Sequence, residues 1–338
     1  VNIEWISDNV NFYLVQIDEE SPDLSGVNPL QIAITPVHTS EGGSGQFIHF
    51  ADRAAIDHWD KLRVLDELWA ATDPHKPNLF YLLLANLPET GDGKATAALV
   101  KEFERLLGPD YIMVRTSVQR TDNKPLNLPR TPNCLTPMEA AAWCLAKRDA
   151  IAAGGSNLTD YAFVTHRFMD ARAGAWARAT PDDPMVEIHG LWGLPDALQY
   201  CPYDSWEIHL PTETATEYTE YKSNFLRCQS DGSWSYLRVK NELARSLCIA
   251  KKDAMDVARR TREIADRLGK ACHVMWFIGC LDQSGEAFNT PWYWVPAHSV
   301  VNQDRTRHLP FIVRNRASLE ELARANFDKT QYMIVLRP

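Results

Sequence analysis

Three basic side chains stand where this chain could turn charge into ligand binding. Arg115 follows the apolar run Tyr111 to Val114 and opens Arg115-Thr116-Ser117, so a strand end would hold its guanidinium at the rim of a cleft, able to fork onto phosphate oxygens. Lys61, in WDKLRVL, offers a point charge from a helix, and Arg130 lies in Asn127-Leu128-Pro129-Arg130-Thr131, a loop that proline stiffens. Plainer readings exist for each. A lysine on the polar face of a helix is ordinarily solvated, an arginine at a strand end also serves structural ion pairs, and Arg130 can cap the helix that follows.

The stretch Phe163 to Leu210 would build the cleft. It reads as a strand with Phe163, Thr165 and Arg167 on one face, a strand with Ala173, Ala175 and Ala177, a tight turn over Pro181 to Pro184, and a strand over Met185 to Ile188. A short helix follows from Leu194-Pro195-Asp196, where proline suits the first turn and the acid faces the positive end of the helix dipole. Antiparallel strands running through a glycine-containing turn into a helix make room for a phosphorylated ligand.

Other elements must position these residues. Ile56, Trp59, Leu62, Leu65, Leu68 and Trp69 recur at helical spacing over Ala51 to Ala70, with Asp52 as N-cap. Buried strands are expected at Leu79 to Ala85, Tyr111 to Val114 and Cys272 to Ile278, with further strands at Trp234 to Val239 and Pro291 to Val295. Helices are expected at Thr96 to Leu107, stopped by Gly108-Pro109, at Met138 to Ala152, and at Ala250 to Leu268 with Gly269 as C-cap. Glu213 to Ser233 reads as polar connection. At the ends, Val1 to Gln16 reads as a hairpin turning at Ser7-Asp8-Asn9, and Phe311 to Pro338 as strand, helix, strand with a capping box at Ser318 and Glu321. Residues 19–45 read as a linker holding one short strand at Leu30 to Ile34. Helices and strands alternating in this way make a mixed α/β (α+β) protein.

Composition narrows the function classes. With 338 residues, 45% hydrophobic and 23% charged, the chain can bury one large core or two moderate ones. A net charge of -9 argues against a general nucleic-acid backbone binder. Tryptophans such as Trp59, Trp69, Trp143, Trp192 and Trp276 fall at core positions instead. The seven cysteines include no Cys-x-x-Cys pair, which fits reduced thiols in a cytoplasmic protein, and no apolar run is long enough for a membrane span. The chain opens without methionine, in what reads as a strand, so a fragment of a longer protein is expected.

The order of pieces resembles the nucleotide-binding ATP-grasp domain of the phosphoenolpyruvate synthase and pyruvate phosphate dikinase family. The match runs over Val164 to Phe168, Ala171 to Ala179, Thr180 to Pro184 and Gly193-Leu194-Pro195-Asp196, the last standing for Gly-Leu-Gly-Glu. The resemblance implies an ATP-grasp-like fold of mixed and antiparallel sheets flanked by helices. It implies the closing hairpin of a preceding domain at 1–20, a linker at 21–46, the domain itself at 47–300 and an appended unit at 301–338. It further implies ATP and Mg2+ as cofactors, with Lys61 and Arg115 on the phosphates. Val164, Thr165, His166 and Arg167 would border the adenine, His166 as a hydrogen-bonding wall, with Arg130 and Gly193 also on the nucleotide. Asp196 and Glu4 would be metal ligands. The phosphoryl group would pass to a histidine on another domain of the parent protein.

Departures from the family pattern pull the other way. Met275 stands where a metal-binding Glu would precede Trp276, no Gln followed by Arg appears in Pro291 to Val295, and Asp18 takes an Arg position on the first hairpin. A thioether is a poor ligand for magnesium, which prefers hard oxygen donors. A degenerate, non-catalytic binding or scaffold domain is therefore the alternative. Ile3-Glu4-Trp5 also resembles Val274-Met275-Trp276, which suggests two related units in tandem, the first with its acidic ligand and the second without.

Overall fold

The computed structural model describes residues 26–37, 43–70, 73, 76–109, 111–119, 128, 130–131 and 134–297, and the backbone alone of the strands at 2–7, 12–18, 309–313 and 332–336. In chain order these are β1 (Asn2–Ser7), β2 (Phe12–Asp18), β3 (His49–Phe50), α1 (Arg53–His58), α2 (Asp60–Asp66), β4 (Phe80–Leu83), α3 (Gly93–Leu107), β5 (Ile112–Val118), α4 (Pro137–Ala153) and β6 (Tyr161–Arg167). Then follow β7 (Ala173–Ala179), β8 (Met185–Trp192), β9 (Asp204–His209), β10 (Thr214–Tyr218), β11 (Asn224–Cys228), β12 (Trp234–Arg238), α5 (Asn241–Ala244), α6 (Lys251–Leu268), β13 (Cys272–Leu281), β14 (Ala287–Pro296), β15 (Leu309–Val313) and β16 (Tyr332–Leu336). The protein is mixed α/β, with antiparallel sheets and flanking helices.

Two sheets face the site. The first has the order β3-β4-β6-β5 and the second β10-β9-β8-β7-β13-β14, both antiparallel throughout. Strand alternation decides what each face of the first sheet does. Phe80, Leu82, Ile112, Val114 and Phe163 pack under α3 and α4, joining Leu99, Phe103, Leu106, Ala141 and Leu145 in one core. Ala162 and Val164, on the opposite face, belong to the larger core that contains the second sheet. Arg115 and His166 share that second face by register, so they look toward the other sheet.

The helices start and stop where their end groups are satisfied. Asp52 accepts from the Ala55 N–H at 2.9 Å, and Thr136 with Glu139 forms a capping box on α4. On α6 the buried stripe Ala254, Val257, Ala258, Thr261, Ile264 and Ala265 ends at Gly269, whose φ of 63° is the left-handed cap. Small Ala175 and Ala177 on β7, fully buried, belong to the same core as this stripe.

Several expectations needed correcting. The helix expected over Ala51 to Ala70 is two, because the backbone of Trp59 leaves the helix to form a bridge with Gln119. The three strands expected together after Tyr161 divide between sheets: β6 belongs to the first, β7 and β8 to the second. Strand structure in Glu213 to Ser233 went unforeseen, yet β10 and β11 lie there. At Leu30 to Ile34 a 3-10 turn, Pro29–Gln31, replaces the expected strand. Its surroundings pack on the body of the protein: Val27 N–H donates to Arg238 O at 2.8 Å and Val37 N–H to Leu281 O at 2.7 Å.

The end hairpins carry a further correspondence. In β1–β2, Glu4 pairs with Gln16, and the register breaks between Glu4 and Trp5. In β13–β14, Met275 pairs with Tyr293, and the register breaks between Met275 and Trp276. The two tripeptides alike in sequence thus carry the same irregularity at the same step. The C-terminal strands β15 and β16 pair in parallel, while the helix expected between them lies outside the described residues.

Candidate functional site

A cationic group forms where α2, β5 and the Arg130 bridge meet. The backbone N–H of Lys61 donates to Ser117 Oγ at 3.2 Å, which fixes the start of α2 against the end of β5. Arg130 forms an isolated antiparallel bridge with Arg115, so the two arginines enter side by side. Opposite them, Pro195 opens a 3-10 turn, Pro195–Gln199, and Asp196 lies 3.6 Å from Arg130. Four residues from four separate parts of the chain converge, three positive and one negative.

Their electrostatics follow from that imbalance. Burial, with added repulsion from Arg115 and Arg130, lowers the Lys61 pKa to about 8 against the opposing pull of Asp60. Arg115 is likewise held below its ordinary value, mainly by burial; Asp196 counteracts this and Arg130 adds to it. The Arg115 Nε is buried without a hydrogen-bond partner. Such a surplus of buried positive charge is what an anionic ligand would neutralise.

Beneath this group lies a cavity of about 20 Å³, lined by Arg115, His166, Asp196, Phe277 and Trp292 among others. That volume suits one water molecule and excludes a phosphate group, so an anion must sit at the mouth, near the exposed Arg130. His166 Nδ1 donates to Arg167 O at 2.9 Å, which leaves Nε2 as a buried acceptor without a partner. Burial first, then the Arg115 charge, lower the His166 pKa to about 3, so the ring is neutral at physiological pH. Its edge packs on Trp292, with ring centroids 4.5 Å apart.

Other candidates are placed differently. Val164 and Thr165 lie in a central strand, paired with β4 on one side and β5 on the other, so their backbone groups are committed to the sheet and unavailable to a base. Arg167 alternates to the opposite face from His166 and lines a second, open cavity of about 650 Å³, beyond Phe168, together with Asp170, Arg227 and Cys228. Gly193 does not reach the cleft either. Its φ is 74°, and a Cβ there would come within 2.2 Å of Leu226 O, so the glycine serves the close approach of β11. Glu4 lies on β1, whose side chains are outside the described residues.

The metal expectation meets an unsuitable donor set. Magnesium wants several hard oxygens, and Asp196 brings one carboxylate already facing Arg130. Met275 is buried, two residues before Phe277, whose ring lines the cavity with Met169, Leu194 and Trp292. Among the described residues no group of three or more His, Cys, Asp or Glu side chains could hold a metal. Asp196 and its surroundings therefore do not fit the ion.

Sequence reasoning missed the aromatic side of the site. Trp234, Phe277 and Trp292 wall the cavity, and Tyr293 acts electrostatically on Arg115. Their strands lie more than a hundred residues downstream of Arg115, so only the sheet order brings them in. Among the described residues no helix is long and apolar enough to cross a membrane. No protein-family model matches the chain, and no curated protein matches it.

Proposed function

We propose that this chain contains a divergent ATP-grasp-like domain, resembling that of phosphoenolpyruvate synthase and pyruvate phosphate dikinase, that binds the phosphates of a nucleotide without transferring them. The observation that carries this reading is the clustering of Lys61, Arg115 and Arg130, with Asp196 beside the two arginines and Asp60 beside the lysine. Three donors of this kind suit phosphate oxygens, the two guanidinia by forked hydrogen bonds and the ammonium as a point charge.

Phosphoryl transfer from Mg-ATP to an acceptor outside the chain, the activity the resemblance implies, would need a metal to neutralise developing charge. The donor set at Asp196 and Met275 does not support that step, so the binding or scaffold role is favoured. The matched register break at Glu4 and at Met275 supports a tandem relationship between two such units, in which the Glu4 hairpin keeps the acidic residue.

Calorimetric titration with ATP and with inorganic triphosphate, each with and without magnesium, tests the reading. Binding of both that needs no magnesium and is weakened roughly 10- to 100-fold in Arg115→Met is the expected result. Magnesium-dependent binding accompanied by ATP turnover would restore the transferase, and no binding to the folded protein would remove the anion site.

A further inference from the structure

Cys228 ends β11 and pairs in register with Trp234 on β12. The Trp234 indole N–H lies 3.2 Å from Cys134 Sγ, and the Cys134 backbone N–H donates to Gly232 O at 3.0 Å in the turn of the same hairpin. The next residue, Leu135, exchanges backbone hydrogen bonds with Ile112, at the start of β5. Cys134 thus stands between the β11–β12 hairpin and the first sheet. Cys228, the direct cross-strand partner of Trp234, donates from its Sγ to Gln229 O at 3.5 Å, and the two thiols are near enough to influence each other's ionisation.

We propose that Cys134 and Cys228 are an oxidisable pair that closes to a disulfide, tying the hairpin to the segment leading into α4. Their chemistry is unequal in the way such a reaction needs. Cys228 is partly exposed on the wall of the 650 Å³ cavity, where a small oxidant can reach it, whereas Cys134 is buried behind it. Interaction with Cys134, helped by Arg227 and opposed by burial, Asp170 and Asp231, draws the Cys228 thiol below its usual pKa. Cys134 is pushed the other way. Burial raises Cys144, Cys248, Cys272 and Cys280, and Cys201 as well, which leaves them poor nucleophiles.

With hydrogen peroxide as oxidant the step balances. The Cys228 thiolate attacks one peroxide oxygen, the O–O bond breaks, and the departing hydroxide takes a proton to leave as water. The sulfenic acid formed on Cys228 is attacked by Cys134 sulfur; the S–S bond forms, the S–O bond breaks, and the Cys134 proton leaves with the hydroxyl as a second water. Two thiols have lost two electrons and one peroxide has gained them. Both cysteines flank Trp234, Cys228 as its cross-strand partner and Cys134 on its indole N–H, so side-chain rotation about this residue brings the sulfurs to bonding distance. The proposal does not depend on what the cationic cleft binds.

The test treats the reduced full chain with hydrogen peroxide, alkylates the remaining thiols, and digests it with trypsin without reduction. The expected product joins residues 228–238 to residues 131–147, lighter by two hydrogens, with fragment ions placing the bond at Cys134 rather than Cys144. Oxidised protein should also melt several degrees higher, since the closed loop is long. Cys228→Ser should abolish the product while leaving the circular dichroism spectrum unchanged. Because a buried serine at 134 can disturb folding, iodoacetamide labelling of the reduced wild type gives an independent readout, with Cys228 expected to react first. Sulfinic acid on Cys228 without a crosslink, a crosslink made mainly through other cysteines, or faster alkylation of Cys201 than of Cys228 would each overturn the proposal.

Discussion

Among the places where the described residues bury charge, two do so in opposite ways. At the first, Lys222 and Asp204 are both fully buried, 2.5 Å apart, and every nearby group serves them: Asp204 also accepts from the N–H groups of Glu220 and Cys248, and Lys222 donates to Glu220 O. At the second, Lys61, Arg115 and Arg130 are met by Asp196 and by Asp60, which is already paired with Arg63, and the buried Arg115 Nε has no partner. Balanced charge belongs to architecture, because its desolvation cost is met internally. Surplus charge is retained at a cost in stability, which is the signature of a site built for something the chain does not itself contain. Mutations should separate the two.

The largest effect is expected at the balanced pair. Lys222→Met strands a buried carboxylate and should cost about 3–5 kcal/mol in urea unfolding, whereas the double change Asp204→Leu with Lys222→Met should cost less than either alone. A double-variant loss equal to the sum of the two single losses would mean the pair is not coupled. Next comes Met275→Glu, which places a carboxylate in the apolar core two residues before the cavity-lining Phe277 and should cost ~3 kcal/mol at neutral pH. A buried Glu has a folded-state pKa above its unfolded value of about 4.3, so the loss should grow as pH rises through that value and shrink in acid. A variant that is unaffected at neutral pH would show that the cationic cluster reaches Met275 and that the cleft can hold a second acid after all. Arg115→Met should lower triphosphate affinity roughly 10- to 100-fold, the worth of a charge-assisted hydrogen bond, with stability changed by less than about 1 kcal/mol. A stability loss as large as that at Lys222 would class Arg115 with the balanced charge.

The same contrast explains what could be read before the fold was known. Helix α6 was legible because its stripe from Ala254 to Ala265 and its Gly269 cap are local signals, sufficient within one element. The strands β10 and β11 were not: the residues of Thr214–Tyr218 are exposed or only half-buried, and in β11 the buried Phe225 and Leu226 are adjacent rather than alternating. Lys61, Arg115, Arg130 and Asp196 were singled out individually and do converge. Arg167 and Gly193 were singled out on equal grounds and turn away, one by strand alternation and the other because its backbone is pressed against β11. Which basic residues share a face is a question of register, and register belongs to partners far off in sequence.

Lys61 offers a finer test, because stability and binding should move in opposite directions with pH. Its folded-state pKa, about 8, lies below the ordinary value of 10.5, so between these the unfolded chain binds more protons than the folded one. Stability contributed through this group should therefore rise as pH climbs from about 8 toward 10.5, while triphosphate affinity falls over the same window as the ammonium is lost. Lys61→Met should flatten both trends. Affinity that does not fall through pH 8 in the wild type would remove Lys61 from the anion site.

The smallest effect marks the baseline for the comparison. Glu213 and Arg259 form an ion pair at 2.7 Å, but their side chains are 65% and 53% exposed. Water already solvates both charges, so the pair gains little Coulomb energy and gives up side-chain freedom to form. Glu213→Gln should change unfolding free energy by less than about 0.5 kcal/mol at physiological salt and leave triphosphate binding untouched. A larger loss would mean that exposed pairs matter in this protein, and the distinction between balanced and surplus charge would then need to be drawn at the surface as well as in the interior.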